Sequence, residues 1–266
     1  MRPFDDTPLA RDGKVLILAY DHGLEHGPVD FEEVPESANP ERVFEVATHD
    51  AVTTLAVQKG VAEAYYPSYE DDVDLLAKLN GTSNLWMGEP DSAVNCSVEY
   101  AAEELGADAV GFTLYGGSNN EIEMAEEFRE AQETAREYDL PVVMWSYPRG
   151  QGLKNDKKPD TIAYAARQAH ELGADVAKVK YPGSREAMEQ AVRMAGRTKV
   201  VMSGGSKTSD RDFLESVKAV IDAGGAGLAV GRNVFQRENP TRILDALEKV
   251  IYEESSVDTA LAAAGE

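Results

Sequence analysis

The chain has little of what would place it in an oxidising compartment or a bilayer. It carries one cysteine, Cys96. No internal disulfide can therefore form, and a lone thiol suits a reducing cytoplasm. No apolar run approaches the roughly 18 residues needed to cross hydrocarbon. The opening Met1-Arg2-Pro3-Phe4-Asp5-Asp6 lacks the order of a secretory leader. A cytoplasmic protein with no membrane partner is the expectation. Asn80-Gly-Thr and Asn95-Cys-Ser spell glycosylation acceptors, but without a leader both read as coincidence. Basic residues are also scarce. Lysine and arginine total 26 against 48 acids, for a net charge of −22, and only 12 of the 26 are lysine. Such a surface repels nucleic acid. The acids are spread along helical segments rather than gathered in a tail, so no disordered acidic arm is expected. They fit a salt-loaded host, where the Debye length falls to roughly 3 Å and self-repulsion is screened.

What the chain does have is alternation. Short β-rich runs are read at 14–20, 52–58, 84–88, 108–114, 141–147, 175–181, 199–203 and 227–231. Amphipathic stretches stand between them, clearest at 97–105, 120–138, 159–172, 184–195, 208–223 and 240–254. The junctions Glu104-Leu-Gly-Ala-Asp108 and Glu171-Leu-Gly-Ala-Asp175 put glycine where a helix must end. Eight strands alternating with helices imply parallel pairing. A length of 266 residues fits the roughly 250 of a closed (β/α)8 TIM barrel. A single domain over 1–266 is expected, with 255–266 as a helical extension or a frayed tail.

In such a barrel the chemistry comes from the carboxyl ends of the strands. Asp175-Val-Ala-Lys-Val-Lys-Tyr181 carries Lys178 and Lys180 on one strand face. Facing a pocket, such an amine is partly desolvated and becomes a usable nucleophile; on an edge strand both lysines would snorkel to water. Ser203-Gly204-Gly205 before a helix, and Gly231-Arg232 on the next strand, offer bare amides and a cation to a phosphate. Tyr147 shares a face with Trp145 and can move protons beside an amine, with Arg149 just beyond. Asp21 gives a carboxylate at the rim. Lys154, Lys157 and Lys158 make the following loop locally basic. His22-Gly-Leu-Glu25-His26 matches an inverted zinc-peptidase pattern. That pattern needs a helix, and this one follows a strand, contains Gly23 and stops at Gly27-Pro28. No metal is expected there.

Taken together, Leu18-Ala-Tyr-Asp-His-Gly-Leu-Glu-His-Gly-Pro28, Trp145-Ser-Tyr-Pro-Arg-Gly150, Ala174-Asp-Val-Ala-Lys-Val-Lys-Tyr181, Met202-Ser-Gly-Gly205 and Ala229-Val-Gly-Arg-Asn-Val-Phe-Gln236 closely resemble the archaeal-type class I fructose-1,6-bisphosphate aldolases. The resemblance runs from about residue 12 to about 252. It implies a (β/α)8 barrel that works through a lysine Schiff base without metal or other cofactor, on a sugar-phosphate substrate, commonly as a large homo-oligomer. It implies that Lys178 is the Schiff-base lysine and Tyr147 the proton donor. It adds Asp21, His22, His26, Trp145, Pro148, Arg149, Val179, Lys180, Ser203, Gly204, Gly205, Gly231 and Arg232 as pocket residues, with Asp21 assisting catalysis. Related transaldol enzymes, the 2-amino-3,7-dideoxy-D-threo-hept-6-ulosonate synthases, share Asp-His-Gly, Tyr-Pro-Arg-Gly and the lysine strand. They lack counterparts of His26, Trp145 and Lys180, all present here, which favours the bisphosphate aldolase.

Overall fold

Apolar runs too short for helices become strands here because both of their faces find cover. The computed structural model describes residues 4–265. Its principal strands are β1 Val15–Ala19, β2 Thr54–Gln58, β3 Leu75–Lys78, β4 Ala109–Leu114, β5 Val142–Ser146, β6 Val176–Val179, β7 Lys199–Ser203 and β8 Gly227–Val230. They pair in parallel in sequence order, and β1 closes the ring on β8 with Val15 opposite Gly227. Strand interiors are buried on the barrel side and on the helix side alike, as parallel sheets require. At the closing seam Gly227 has φ +142, and a Cβ there would lie 1.9 Å from the Val15 carbonyl oxygen. Only glycine lets the two backbones meet.

The repeated Leu-Gly-Ala-Asp junctions are built for the same closure. Gly106 and Gly173 take positive φ, at +64 and +88, after their helices end. The aspartate that follows then reaches across: Asp108 accepts from the Leu75 amide at 2.9 Å and Asp175 from the Val142 amide at 2.8 Å. Each carboxylate satisfies the first N–H of the preceding strand, where the ladder has no partner to offer.

The helices lie close to their expected positions: Val98–Glu103, Glu121–Glu137, Pro159–Glu171, Arg185–Met194, Asp210–Asp222 and Pro240–Ile251, with Val257–Ala263 as a terminal addition. Five of them start with serine or asparagine accepting from the third residue on, at Ser97, Ser184, Ser209, Asn239 and Ser256. No helix of the described residues is long and apolar enough to cross a membrane.

The third strand is the main correction. It was expected at 84–88 and lies instead at Leu75–Lys78. Asp71, Asp72 and Asp74 immediately precede this run and disguise its apolarity. The Asn84–Gly88 segment has hydrophobic letters but forms a turn, in which Leu85 is 89 % and Met87 92 % exposed. Between β3 and β4 a small antiparallel ribbon pairs Asn80–Gly81 with Ala93–Val94.

Candidate active site

All eight barrel strands point their carboxyl ends at one rim, where inward side chains enclose a cavity of about 500 Å3. Around it stand Asp21, His22 and His26 after β1; Trp145, Tyr147 and Arg149 at the end of β5; Lys178 and Lys180 on β6; Ser203, Gly204 and Gly205 at the end of β7; and Gly231 and Arg232 after β8. Two residues attached to the pocket by resemblance do not line it. Val179 alternates with Lys178 and Lys180, so the strand turns it to the opposite face. Pro148 is buried without reaching the cavity.

Lys178 is 5 % exposed. Its Nζ lies 4.3 Å from the centroid of the Trp145 indole and 5.9 Å from that of the Tyr147 ring. Burial lowers its pKa to about 8; Lys78 and Arg232 push the same way, while Asp21 and Glu25 oppose them. At neutral pH roughly a tenth of such an amine is free base, against less than about one part in a thousand for an ordinary lysine. The snorkelling alternative does not hold, because the side chain stays inside the barrel. The indole beside it sits where β4 supplies Gly111: a Cβ at that position would lie 2.6 Å from the Trp145 ring.

Tyr147 is the other half of the pair. Its pKa is pushed well above the ordinary phenol value, first by burial and then by Asp21 and Glu25. A hydrogen bond with Ser203 and the nearby Arg149 pull in the opposite direction. The group is therefore a phenol, able to donate a proton. Arg149 itself rests 4.9 Å from the Tyr115 ring centroid.

The anion cradle is held from below by a residue that the sequence reading missed. Asn233 is fully buried, and its Nδ2 donates to the carbonyls of Gly204 at 2.8 Å and Ser206 at 2.9 Å. Its Oδ1 accepts from the Thr208 amide at 3.1 Å. The Gly204 amide was expected to be free, but it continues the ladder by donating to Ala229 at 2.9 Å. Among the described residues the Gly205 and Ser206 amides have no protein acceptor, which leaves two backbone donors at the cavity wall. Arg232 stands beside them, 3.8 Å from Asp30.

Opposite polarity is arranged at the outer mouth. The Lys180 ammonium contacts the carboxylate of Asp156, on the basic loop between β5 and its helix. Lys157 of that loop also lines the cavity. His22-Gly-Leu-Glu-His26 does wind into a five-residue helix, contrary to the expectation from Gly23. The His22 ring packs edge-on to Tyr20 at 5.4 Å and stacks on Phe235 at 5.8 Å. Burial lowers its pKa, which keeps the imidazole neutral. The His26 ring instead lies 4.0 Å from Asp30 and 3.9 Å from Glu25. Glu25 is partly buried, and this desolvation raises its pKa. Glu25, Lys78 and Asn233 escaped the sequence reading, whereas Lys157 belongs to the basic loop it singled out. Glu25 stood inside a quoted motif, whereas Lys78 sat on the misplaced strand.

A family model described as DeoC/LacD family aldolase matches residues 15–237. The chain is 79 % identical over 261 residues to a Halobacterium salinarum protein named fructose-bisphosphate aldolase class 1, covering 98 % of this chain and 99 % of that one. A Thermoproteus tenax protein of the same name is 48 % identical over 244 residues, with 91 % of each covered. A solved archaeal fructose-1,6-bisphosphate aldolase, its catalytic lysine covalently bound to the carbinolamine intermediate of its substrate, superposes with a TM-score of 0.88. It is 47 % identical and covers 92 % of this chain and 96 % of its own.

Proposed function

The chain belongs to the DeoC/LacD aldolase family and acts as a class I, Schiff-base fructose-bisphosphate aldolase; from that premise we propose that Lys178 is the amine that captures the ketose. One observation carries the assignment: an almost wholly buried lysine, with its pKa lowered to about 8, opens on the same cavity as a neutral phenol and an anion cradle. The free amine of Lys178 adds to the C2 carbonyl of fructose 1,6-bisphosphate and gives a carbinolamine. Tyr147 donates its proton to the departing hydroxyl, which leaves as water, and an iminium remains. The phenolate so formed takes the proton of the C4 hydroxyl as the C3–C4 bond breaks. Glyceraldehyde 3-phosphate departs, and the bonding electrons are held as an enamine on Lys178. Tyr147 then returns its proton to C3, and water hydrolyses the imine to dihydroxyacetone phosphate. Asp21 orients the substrate hydroxyls.

The Gly205 and Ser206 amides with Arg232 hold the phosphate next to the ketone. Lys180, Lys157 and His26 receive the distant one, with the substrate phosphate displacing Asp156 from Lys180. Relatives named as bisphosphate aldolases at 79 % and 48 % identity support this substrate over that of the transaldol synthases. We also propose that the enzyme is a cytoplasmic homo-oligomer. Borohydride added with fructose 1,6-bisphosphate is expected to inactivate the enzyme and leave a reduced adduct on the peptide bearing Lys178. Cleavage that continues without any trapped adduct would sink the assignment.

A further inference from the structure

Among the described residues, Lys78 is the one wholly buried charged side chain without a part in the proposed mechanism. It ends β3 at 0 % exposure, in register with Gln58 on one side and Gly111 on the other. Its Nζ donates to both oxygens of Asn80, to the carbonyl at 2.7 Å and to Oδ1 at 3.0 Å. Asn80 is itself pinned. Its Nδ2 donates to the carbonyls of Thr113 at 2.8 Å and Ser92 at 3.2 Å, and its Oδ1 also accepts from the Thr113 amide at 2.7 Å. A buried amide with every valence spent fixes the ammonium in place. Burial lowers the Lys78 pKa, Asp21 and Glu25 raise it, and the two Asn80 oxygens are placed to accept from the ammonium form; a packing role alone would be met by methionine or leucine.

The position gives the charge a use. Lys78 Nζ lies 5.3 Å from the centroid of the Trp145 indole, the ring that Lys178 Nζ approaches at 4.3 Å. The two nitrogens are thus within about 10 Å of each other, through an interior where charges interact far more strongly than in water. Asp21 and Glu25 face both ammonium groups from the segment after β1. Arg232 faces Lys178 from the segment after β8. Tyr147 stands beside Lys178 at the end of β5, neutral, with Arg149 just beyond. Without Lys78 the two carboxylates would act on Lys178 with less to oppose them.

We propose that Lys78, clamped by Asn80 against the Trp145 ring, is an electrostatic positioning residue whose fixed positive charge biases Lys178 toward its neutral, nucleophilic amine. The inference rests on Lys178 being the Schiff-base lysine, and the test separates the two ideas. Borohydride trapping with fructose 1,6-bisphosphate would be followed against pH in the wild type, in Lys78→Met, and in Asn80→Asp. The second variant leaves Lys78 in place but sets a carboxylate against its charge at unchanged side-chain size. The rising limb of the trapping profile is expected to move toward alkaline pH by about one unit in Lys78→Met, and in the same direction in Asn80→Asp. Reduced rates at an unmoved midpoint, in whichever variant folds, would mean that Lys78 only supports the wall, and would overturn the proposal. An adduct on the peptide carrying Lys78 would overturn it as well. A wild type that traps nothing at Lys178 would remove the underlying assignment together with this one.

Discussion

Lys178 and Tyr147 illustrate how one enclosure shifts two groups in opposite senses. Burial disfavours whichever form is charged, so it lowers the pKa of the amine and raises that of the phenol. Both groups are driven to their neutral forms, which the addition and dehydration steps require. The sign of the pH dependence follows. Below about 8 the amine of the free enzyme is protonated and cannot attack, so kcat/KM for cleavage is expected to climb as pH rises through that region and then level off. A profile that is flat from pH 6.5 to 9 would contradict the assignment. Tyr147→Phe removes the proposed proton carrier and leaves the amine in place. It is expected to lower kcat by about 10^2 to 10^4, and to slow borohydride tagging of Lys178 with dihydroxyacetone phosphate, because dehydration to the imine uses the same proton. A variant with undiminished kcat would clear Tyr147 of the role. Both side chains were legible in the sequence, because period-two alternation sets Lys178 with Lys180 and Tyr147 with Trp145. The environment that makes them reactive was not legible, since Asp21 and Glu25 approach them from more than a hundred residues away.

At the scale of elements, the segment joining β7 to its helix shows how a loop without regular structure acquires a fixed shape. Three hydrogen bonds from the buried Asn233 side chain hold it. Each is worth about 1 kcal/mol net, and more when its loss strands a buried partner. Asn233→Ala should therefore loosen the cradle. KM for fructose 1,6-bisphosphate is expected to rise about fivefold or more, at the scale of one such bond, with kcat less affected. Steady-state kinetics at fixed pH would check this, and an unchanged KM would show that the loop keeps its shape unaided. Asn233 lies within the quoted Ala229–Gln236 stretch, yet no local pattern distinguishes an asparagine reaching back to a preceding loop from one that merely starts a short helix. The third strand was lost for a related reason. Strand propensity at Leu75–Lys78 is real, but it is preceded by acids, whereas Leu85-Trp86-Met87 has the letters of a strand and no neighbour to pair with.

For the molecule as a whole, charge decides more than the barrel does. A net charge of −22 lies on a surface whose ion pairs offset little of it. The helical pairs Arg129–Glu133, Arg167–Glu171, Arg185–Glu189, Lys218–Asp222 and Lys249–Glu253 are solvent-facing, or nearly so. Each contributes about 0.3–0.5 kcal/mol at most. All five also set the base N-terminal to the acid, the weaker orientation against the helix dipole. Unscreened repulsion should then weigh on the folded state at low salt. The melting temperature is expected to rise between 0.1 M and 2 M KCl, by about 2–4 °C for each kcal/mol of repulsion relieved in a chain of this size. Thermal melts at the two concentrations would measure the shift, and a fall in Tm would refute the salt-loaded reading.

The alternation of strands and helices, the parallel barrel and the candidate side chains at its rim were determined by the sequence itself. Alternation, helix-ending glycines and residue chemistry are local, so they can be read along one dimension. Tertiary structure alone decided that the third strand begins at Leu75, that Val179 turns away from the cavity, and that Gly204 spends its amide in the ladder. It alone also brought Lys78 to the indole that Lys178 touches. Those outcomes depend on what covers each residue from distant parts of the chain, and burial is a property of the closed barrel rather than of any stretch within it.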